Sequence, residues 1–328
     1  MKMLNEFEFK KILDKQIRTK YFIHVLVFLL IISTLIFSLL IIGEKSLNRK
    51  EKISIPKISN AFTTVNLKAK SAVVWDVINN KELFSKNSEL PLPLASLTKV
   101  MTAITINGKL ENDQKIKITL DDLKPEGDSN LVVGDTWKAK DLRDFTLLTS
   151  SNDGAFALAA VAESEQVLPP HNKASTSPEK LREQFIKEMN YTATKIGLTN
   201  SKFFNEHGLD RGADRGGAYG SAHDMATLFE YILKNYPKIL EATRYKNLEF
   251  FSTEKRYSAE NTNILIDKIP NIIASKTGFT DLAGGNLVIA FDAGLNRPII
   301  ISVLGSTEEG RFTDMLQLVK ASVKFINQ

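Results

Sequence analysis

Residues 271–306, NIIASKTGFTDLAGGNLVIAFDAGLNRPIIISVLGS, read as apolar β-strands joined by turns at Ala283-Gly284-Gly285 and Gly294-Leu295-Asn296-Arg297. An amphipathic helix over 311–326 follows. Far upstream, SAVVWDVINNKELFSKN (71–87) holds two more β-rich runs around Asn79-Asn80-Lys81, a hairpin pattern. Helical spacings fill the interval. They are Leu97, Val100, Met101 and Ile104 within PLASLTKVMTAITINGKL (93–110), then LRDFTLLTSSNDGAFALAAVAE (142–163) with a break at 150–154, then 179–196 and 221–235. Two short β-like runs, KIKITL and NLVVGDTW, separate the first two. Residues 163–180 are turn-rich and predict an exposed loop. Strands at both ends with helices between predict an α/β (α+β) fold: an antiparallel sheet assembled from distant chain segments, with an inserted helical region. No internal repeat is visible.

The chain has 328 residues, of which 43% are hydrophobic and 25% charged, values that exclude disorder and collagen-like repeats. Its length allows one large domain or two modest ones at the usual ~150 residues each. With no cysteine, thiol nucleophiles, Cys-ligated zinc and iron–sulfur clusters are excluded, so chemistry falls to hydroxyls, carboxylates, amines or the four histidines. A net charge of +5 is mild and lacks the basic stripe of a nucleic-acid binder.

Phe22 to Ile42, FIHVLVFLLIISTLIFSLLII, runs 21 residues without Asp, Glu, Lys or Arg. As a helix it would span about 31 Å, enough to cross a hydrocarbon core. It exceeds the apolar region of a signal peptide and lacks a small-x-small cleavage site, which predicts an uncleaved transmembrane anchor. Six cations precede it (Lys2, Lys10, Lys11, Lys15, Arg18, Lys20) and four follow (Lys45, Arg49, Lys50, Lys52), so the bias favours a cytoplasmic N-terminus. The expected organisation is a cytoplasmic segment 1–21, a transmembrane span 22–42, a polar stalk 43–60, and a folded domain 61–328 on the outer face.

Ser96-Leu97-Thr98-Lys99 places a hydroxyl and an amine three residues apart at a helix start, within reach of each other. A serine needs a nearby base to become a nucleophile, and a lysine whose pKa is lowered by burial can be that base. Alone, the tetrad fits a helix cap with a solvated lysine. Downstream, Ser150-Ser151-Asn152 adds a hydroxyl and a carboxamide in a helix break, and Lys276-Thr277-Gly278 adds a cation, a hydroxyl and a glycine in an apolar strand. The three in this order, on helix start, helix break and strand, are hard to attribute to chance.

Together they resemble a motif set already described for penicillin-binding serine peptidases and serine β-lactamases. NSELPLPLASLTKVMTAI, LLTSSNDGAFALA, FFNEHGLD, SAHDMATL and SKTGFTDLAGGNLV are similar to successive blocks of the D-alanyl-D-alanine carboxypeptidase family, over roughly residues 70–325. The resemblance implies a β-lactamase/transpeptidase-like antiparallel sheet flanked by helices, with a mostly helical subdomain and the active site in the groove between them. It implies an enzyme without cofactor that removes the terminal D-alanine from peptidoglycan stem peptides and is acylated by β-lactams.

Carried over residue by residue, Ser96 is the nucleophile and Lys99 its base. Ser150 relays a proton to the leaving amine, and Asn152 orients Lys99 and the substrate amide. Lys276 sustains a positive field, while Thr277 and Thr280 bind the terminal carboxylate. The N–H groups of Ser96 and Phe279, beside Gly278, form the implied oxyanion hole. Arg311, in GSTEEGRFTDM, matches an arginine placed near the carboxylate; its plainer reading is a surface helix cation.

The chain departs from the family at Ser151, where Gly is usual, and at Gly154, where Ala is usual. Relatives' extra β-rich domain and C-terminal membrane helix have no counterpart, so the N-terminal helix is expected to tether the protein. A class A β-lactamase glutamate segment after Asn152 is absent, which favours a peptidase. The same site also fits a D,D-endopeptidase, a weak β-lactamase or an inactive cell-wall-peptide binding protein. His207 and His223 are read as turn and helix-start residues rather than bases, and no His/Asp/Glu spacing argues for a metal. Trp75 and Trp137 are read as core or interface residues, and His24 as interfacial.

Overall fold

The computed structural model describes residues 29–35, 61–127, 130–164, 177–294 and 296–328. Two compact units divide the chain, Met1–Ile55 and Pro56–Gln328. In the first, residues 29–35 are helical and exposed. Of the expected transmembrane span only these lie among the described residues, and the expected stalk 43–60 lies outside them. Among the described residues no helix is long and apolar enough to cross a membrane.

The second unit is built on a five-stranded antiparallel sheet: β1 (Ser71–Asp76), β2 (Lys81–Lys86), β3 (Ile272–Thr280), β4 (Gly284–Asp292) and β5 (Pro298–Ser306). Its order, β3-β4-β5-β1-β2, brings the two ends of the unit together by pairing Val74 with Ile301 and Ala72 with Val303. The central strands carry near-continuous apolar runs because both faces are covered. Alternate side chains enter separate cores, as period-two geometry requires. Leu287, Ile289 and Phe291 meet Met315 and Leu318 of the last helix, whereas Val288 and Ala290 join the core of the inserted helical region.

Among the described residues six α-helices accompany it: α1 (Thr98–Ile106), α2 (Ala139–Thr149), α3 (Asn152–Ser164), α4 (Pro178–Ile196), α5 (Ala222–Asn235) and α6 (Gly310–Ile326). All nine residues of α1 are buried, so this helix is core on every side and its first turn is held rigidly. Ser177 caps α4 and Ser221 caps α5 through N–H groups three residues on.

Several sequence expectations need correction. The β-like run 130–137 forms a strand only over Thr136–Lys138, paired with Lys115–Lys117, because Val132 and Val133 are exposed. Of the predicted loop 163–180, residues 163–164 belong to α3 and 178–180 to α4, and residues 165–176 lie outside the described residues. A hairpin, Asn247–Phe251 with Arg256–Glu260, occupies a stretch that sequence reading left unassigned.

Candidate active site

Three elements converge where the sequence placed its three motifs. Ser96 sits in a single 3-10 turn, Ala95–Leu97, leading into α1. Ala95, immediately before Ser96, holds φ +48°, a conformation L-residues seldom adopt. The neighbouring backbones enforce that turn. A Cβ on Gly208 would lie 2.0 Å from the Ala95 carbonyl oxygen, and one on Gly278 would lie 2.9 Å from the Leu94 oxygen and 3.2 Å from the Ser96 nitrogen. Only glycine permits both approaches. The second brings strand β3 beside the Ser96 amide, where an oxyanion site with Phe279 would have to form.

Lys99 is 1% exposed, and its Nζ lies 2.9 Å from Ser96 Oγ. It donates to Asn152 Oδ1 at 2.6 Å and to the His207 carbonyl at 2.7 Å. Burial lowers its pKa from 10.5 to about 7, against the opposing pull of the Glu206 and Asp153 carboxylates. The geometry suits the neutral amine: two N–H bonds satisfy the two carbonyl oxygens, and the lone pair faces the Ser96 hydroxyl.

The helix break is equally specific. Ser150 ends α2 at φ +64°, and Ser151 Oγ accepts the Gly154 N–H at 2.9 Å to start α3. Ser151 is therefore a cap, which accounts for a hydroxyl where the family usually has Gly. Gly154 is required by packing, because a Cβ there would meet Thr146 Oγ1 at 2.1 Å. Asn152 faces both ways, with Oδ1 on Lys99 and Nδ2 donating to the Glu126 carbonyl at 2.5 Å. Its amide is thus held by backbone as well as aimed at the lysine.

On β3, Lys276 Nζ donates to Ser150 Oγ at 2.8 Å and to the Thr277 carbonyl at 2.9 Å. Burial first, then the charges of Lys99 and Arg311, hold it well below the usual lysine range. Thr277 Oγ1 is 2.6 Å from Thr262 Oγ1, and Thr280 Oγ1 accepts the Ala283 N–H at 3.1 Å. Phe279, on the same strand, is exposed. Arg311 is not a surface cation: it is 9% exposed, donates to the Gly278 carbonyl at 3.1 Å and lies over Phe312. A cavity of about 260 Å³ opens next to Ser150 and Asn152, lined also by Gly127, Asn130, Tyr257 and Glu260.

Sequence reasoning missed several supports. The turn 205–209 supplies the His207 carbonyl, shaped by Gly208 N–H on Asn205 Oδ1 at 2.7 Å. The imidazole itself does not reach Ser96 as a base. Its Nδ1 accepts from Leu209 N, and burial with Lys99 and Arg182 nearby pushes its pKa down to about 3. Asn286, fully buried, donates to the Pro93 carbonyl at 2.9 Å and accepts from Gly305 N at 2.8 Å, tying the Ser96 approach to β4 and β5. The asparagine after Gly284-Gly285 was the available signal.

Away from the site, Glu82, Glu89 and His223 bring ligand atoms within 4.8 Å of one another and could hold a metal ion, a group that sequence spacing did not suggest. They come from separate segments. His223 Nδ1 lies 3.0 Å from Glu82 Oε1, and Asn200 Nδ2 donates to Glu89 Oε2 at 2.7 Å.

The D-alanyl-D-alanine carboxypeptidase family model matches residues 58–168 and 173–308. The D-alanyl-D-alanine carboxypeptidase DacF of Bacillus subtilis is 30% identical over 259 residues, 76% of this chain and 61% of that protein. A D-alanyl-D-alanine endopeptidase of Escherichia coli is 29% identical over 255 residues, 74% of this chain and 72% of its own length. Among solved structures, penicillin-binding protein D2 of Listeria monocytogenes in its cefotaxime-bound form superposes with a TM-score of 0.65 at 28% identity, covering 78% of this chain and 97% of that one. The chain spans about three-fifths of the length of the curated carboxypeptidase it matches. With its sheet order and three converging motifs, the chain belongs to the D-alanyl-D-alanine carboxypeptidase family.

Proposed function

We propose that this chain is a serine D,D-carboxypeptidase that removes the terminal D-alanine from peptidoglycan stem peptides through an acyl-enzyme on Ser96. The observation that carries the reading is the Lys99 amine, buried and tuned to about 7, set 2.9 Å from Ser96 Oγ with two carbonyls consuming its N–H bonds. In the first half-reaction Ser96 Oγ bonds to the carbonyl carbon of the penultimate D-alanine while its proton passes to Lys99 Nζ. The oxyanion is met by the N–H groups of Ser96 and Phe279. Ser150, held by Lys276, passes a proton to the departing amine and recovers one from Lys99, which leaves the amine of Lys99 neutral, and D-alanine leaves. Water then attacks the ester, Lys99 takes its proton and returns it to Ser96 Oγ as the acyl C–O bond breaks, and Ser96 is restored. Thr277 and Thr280 face the terminal carboxylate, with Arg311 behind Gly278.

β-Lactams present the same acyl group on a ring that stays attached, so the ester persists. The cefotaxime-bound neighbour supports that ligand class. The relative named an endopeptidase, of which the chain covers the larger share, keeps cross-link cleavage as the second reading. Release of free D-alanine from a linear pentapeptide, against cleavage of a cross-linked dimer, separates the two.

Membrane tethering with the domain 61–328 outside the cell rests on residues 22–42. Supporting it, Leu29, Leu30, Ile31 and Leu35 are exposed, and Ser33 and Thr34 return their hydroxyls to the Leu30 and Ile31 carbonyls, as a helix in hydrocarbon requires. The test of the enzyme reading is intact-mass analysis of the full chain in detergent after exposure to a penicillin. One persistent adduct is expected, lost in Ser96→Ala. An adduct that survives in that variant, or none on folded protein, overturns the mechanism.

A further inference from the structure

Thr262 belongs to no motif, yet its hydroxyl is built into the site. It follows the hairpin strand Arg256–Glu260, between two buried asparagines. Asn261 N donates to the Lys246 carbonyl at 2.8 Å, and Asn261 Nδ2 donates to the Thr243 and Tyr245 carbonyls, each at 2.9 Å. Asn261 Oδ1 accepts from Asn263 N at 2.8 Å, and Asn263 Oδ1 from Leu265 N at 3.1 Å. Thr262 N donates to the Leu148 carbonyl at 3.3 Å, two residues before Ser150. The backbone on both sides of Thr262 is therefore fixed, and its Oγ1 stands 2.6 Å from Thr277 Oγ1.

Two hydroxyls at that distance share one proton, so one donates and the other accepts. A threonine hydroxyl without a partner rotates among staggered positions and donates to any acceptor in reach. Once Thr262 donates to Thr277 Oγ1, the Thr277 proton is left for an external acceptor, and accepting a bond strengthens the one it gives. We propose that Thr262 is a positioning residue that aims the Thr277 hydroxyl at the ligand's carboxylate and so makes the site selective for substrates with a free C-terminal carboxylate. The inference rests on the carboxypeptidase reading above, which supplies the carboxylate.

The test compares the wild-type full chain in detergent with Thr262→Val and Thr262→Ser. Second-order acylation is followed by intact mass with benzylpenicillin and with benzylpenicillin methyl ester, and D-alanine release is measured separately from a diacyl-lysyl-D-Ala-D-Ala peptide. Valine keeps the shape and removes the hydroxyl. It is expected to slow acylation by the free acid roughly tenfold, to leave the ester within about twofold, and to be rescued by serine. A purely structural role would slow both forms alike. Equal losses on acid and ester, or no loss on either, overturn the role of Thr262. A wild-type chain that is acylated but releases no D-alanine overturns the peptidase reading instead, and the acid-to-ester ratio then still decides Thr262.

Discussion

Acylation of Ser96 should follow the neutral fraction of Lys99, and the size of the effect follows from its burial. With a pKa of about 7 in place of 10.5, about half of the amine is neutral at pH 7, against roughly 0.03% for an unburied lysine, a gain of about 1,500-fold in available base. Lowering the pH to 5 leaves about 1% neutral, so the acylation rate should fall about 50-fold between pH 7 and pH 5. His207 cannot produce this limb, because its pKa lies near 3. His223 is raised above the usual imidazole value by its hydrogen bond to Glu82, and His223→Gln controls for its titration.

The sign is open to a second test. Asp153 pulls the Lys99 pKa upward, so Asp153→Asn removes that pull, lowers the pKa further and moves the limb to lower pH. The assay is the rate of acyl-enzyme formation with a penicillin from pH 5 to 8, read by intact mass. A flat profile, a limb abolished by His223→Gln, or a limb that moves to higher pH in Asp153→Asn would refute Lys99 as the base.

Two further outcomes concern stability. Gly154→Ala forces a methyl to within 2.1 Å of Thr146 Oγ1 and should cost about 1–3 kcal/mol in urea unfolding. Thr146→Ala, which removes the buried and unpartnered Oγ1, should restore most of it; a variant as stable as wild type would contradict the packing argument. Asp314, fully buried on α6, accepts from Lys68 N at 3.0 Å, Ala69 N at 2.8 Å and Ser306 Oγ at 2.7 Å. Asp314→Ala strands these donors and should cost about 2–5 kcal/mol, and a loss below about 1 kcal/mol in the same assay would show that they find other partners.

The elements with the strongest local signal were legible in advance. The hairpins of 71–86 and 272–306 announce themselves by apolar runs cut by Asn and Gly turns, and the helix starts by spacing. The hairpin 247–260 did not, because its strands expose Asn247, Glu249, Phe251, Arg256, Ser258 and Glu260, leaving little apolar run to read. Thr136–Lys138 was overextended because Val132 and Val133 are apolar but solvent-facing. Arg311 shows the same limit for a single side chain. Its sequence position suits a surface cation equally well, and only the packing of α6 across β4 and β5 puts it on the Gly278 carbonyl.

The sequence by itself determined which chemistry was available, since the absence of cysteine and the order of Ser96-x-x-Lys99, Ser150-x-Asn152 and Lys276-Thr277-Gly278 leave a serine–lysine system as the coherent reading. It also determined the element types, because periodicity is a local property of the chain. The tertiary structure decided the distances and the surroundings of each group. Lys99 is held far below the usual lysine range because α1 is buried on every side, so that desolvation outweighs two nearby carboxylates. Its partners, the His207 carbonyl and the Asn152 amide, come from 108 and 53 residues away. Residues such as Thr262 and Asn286 gain their roles from the same long-range packing, which no pattern within a short stretch encodes.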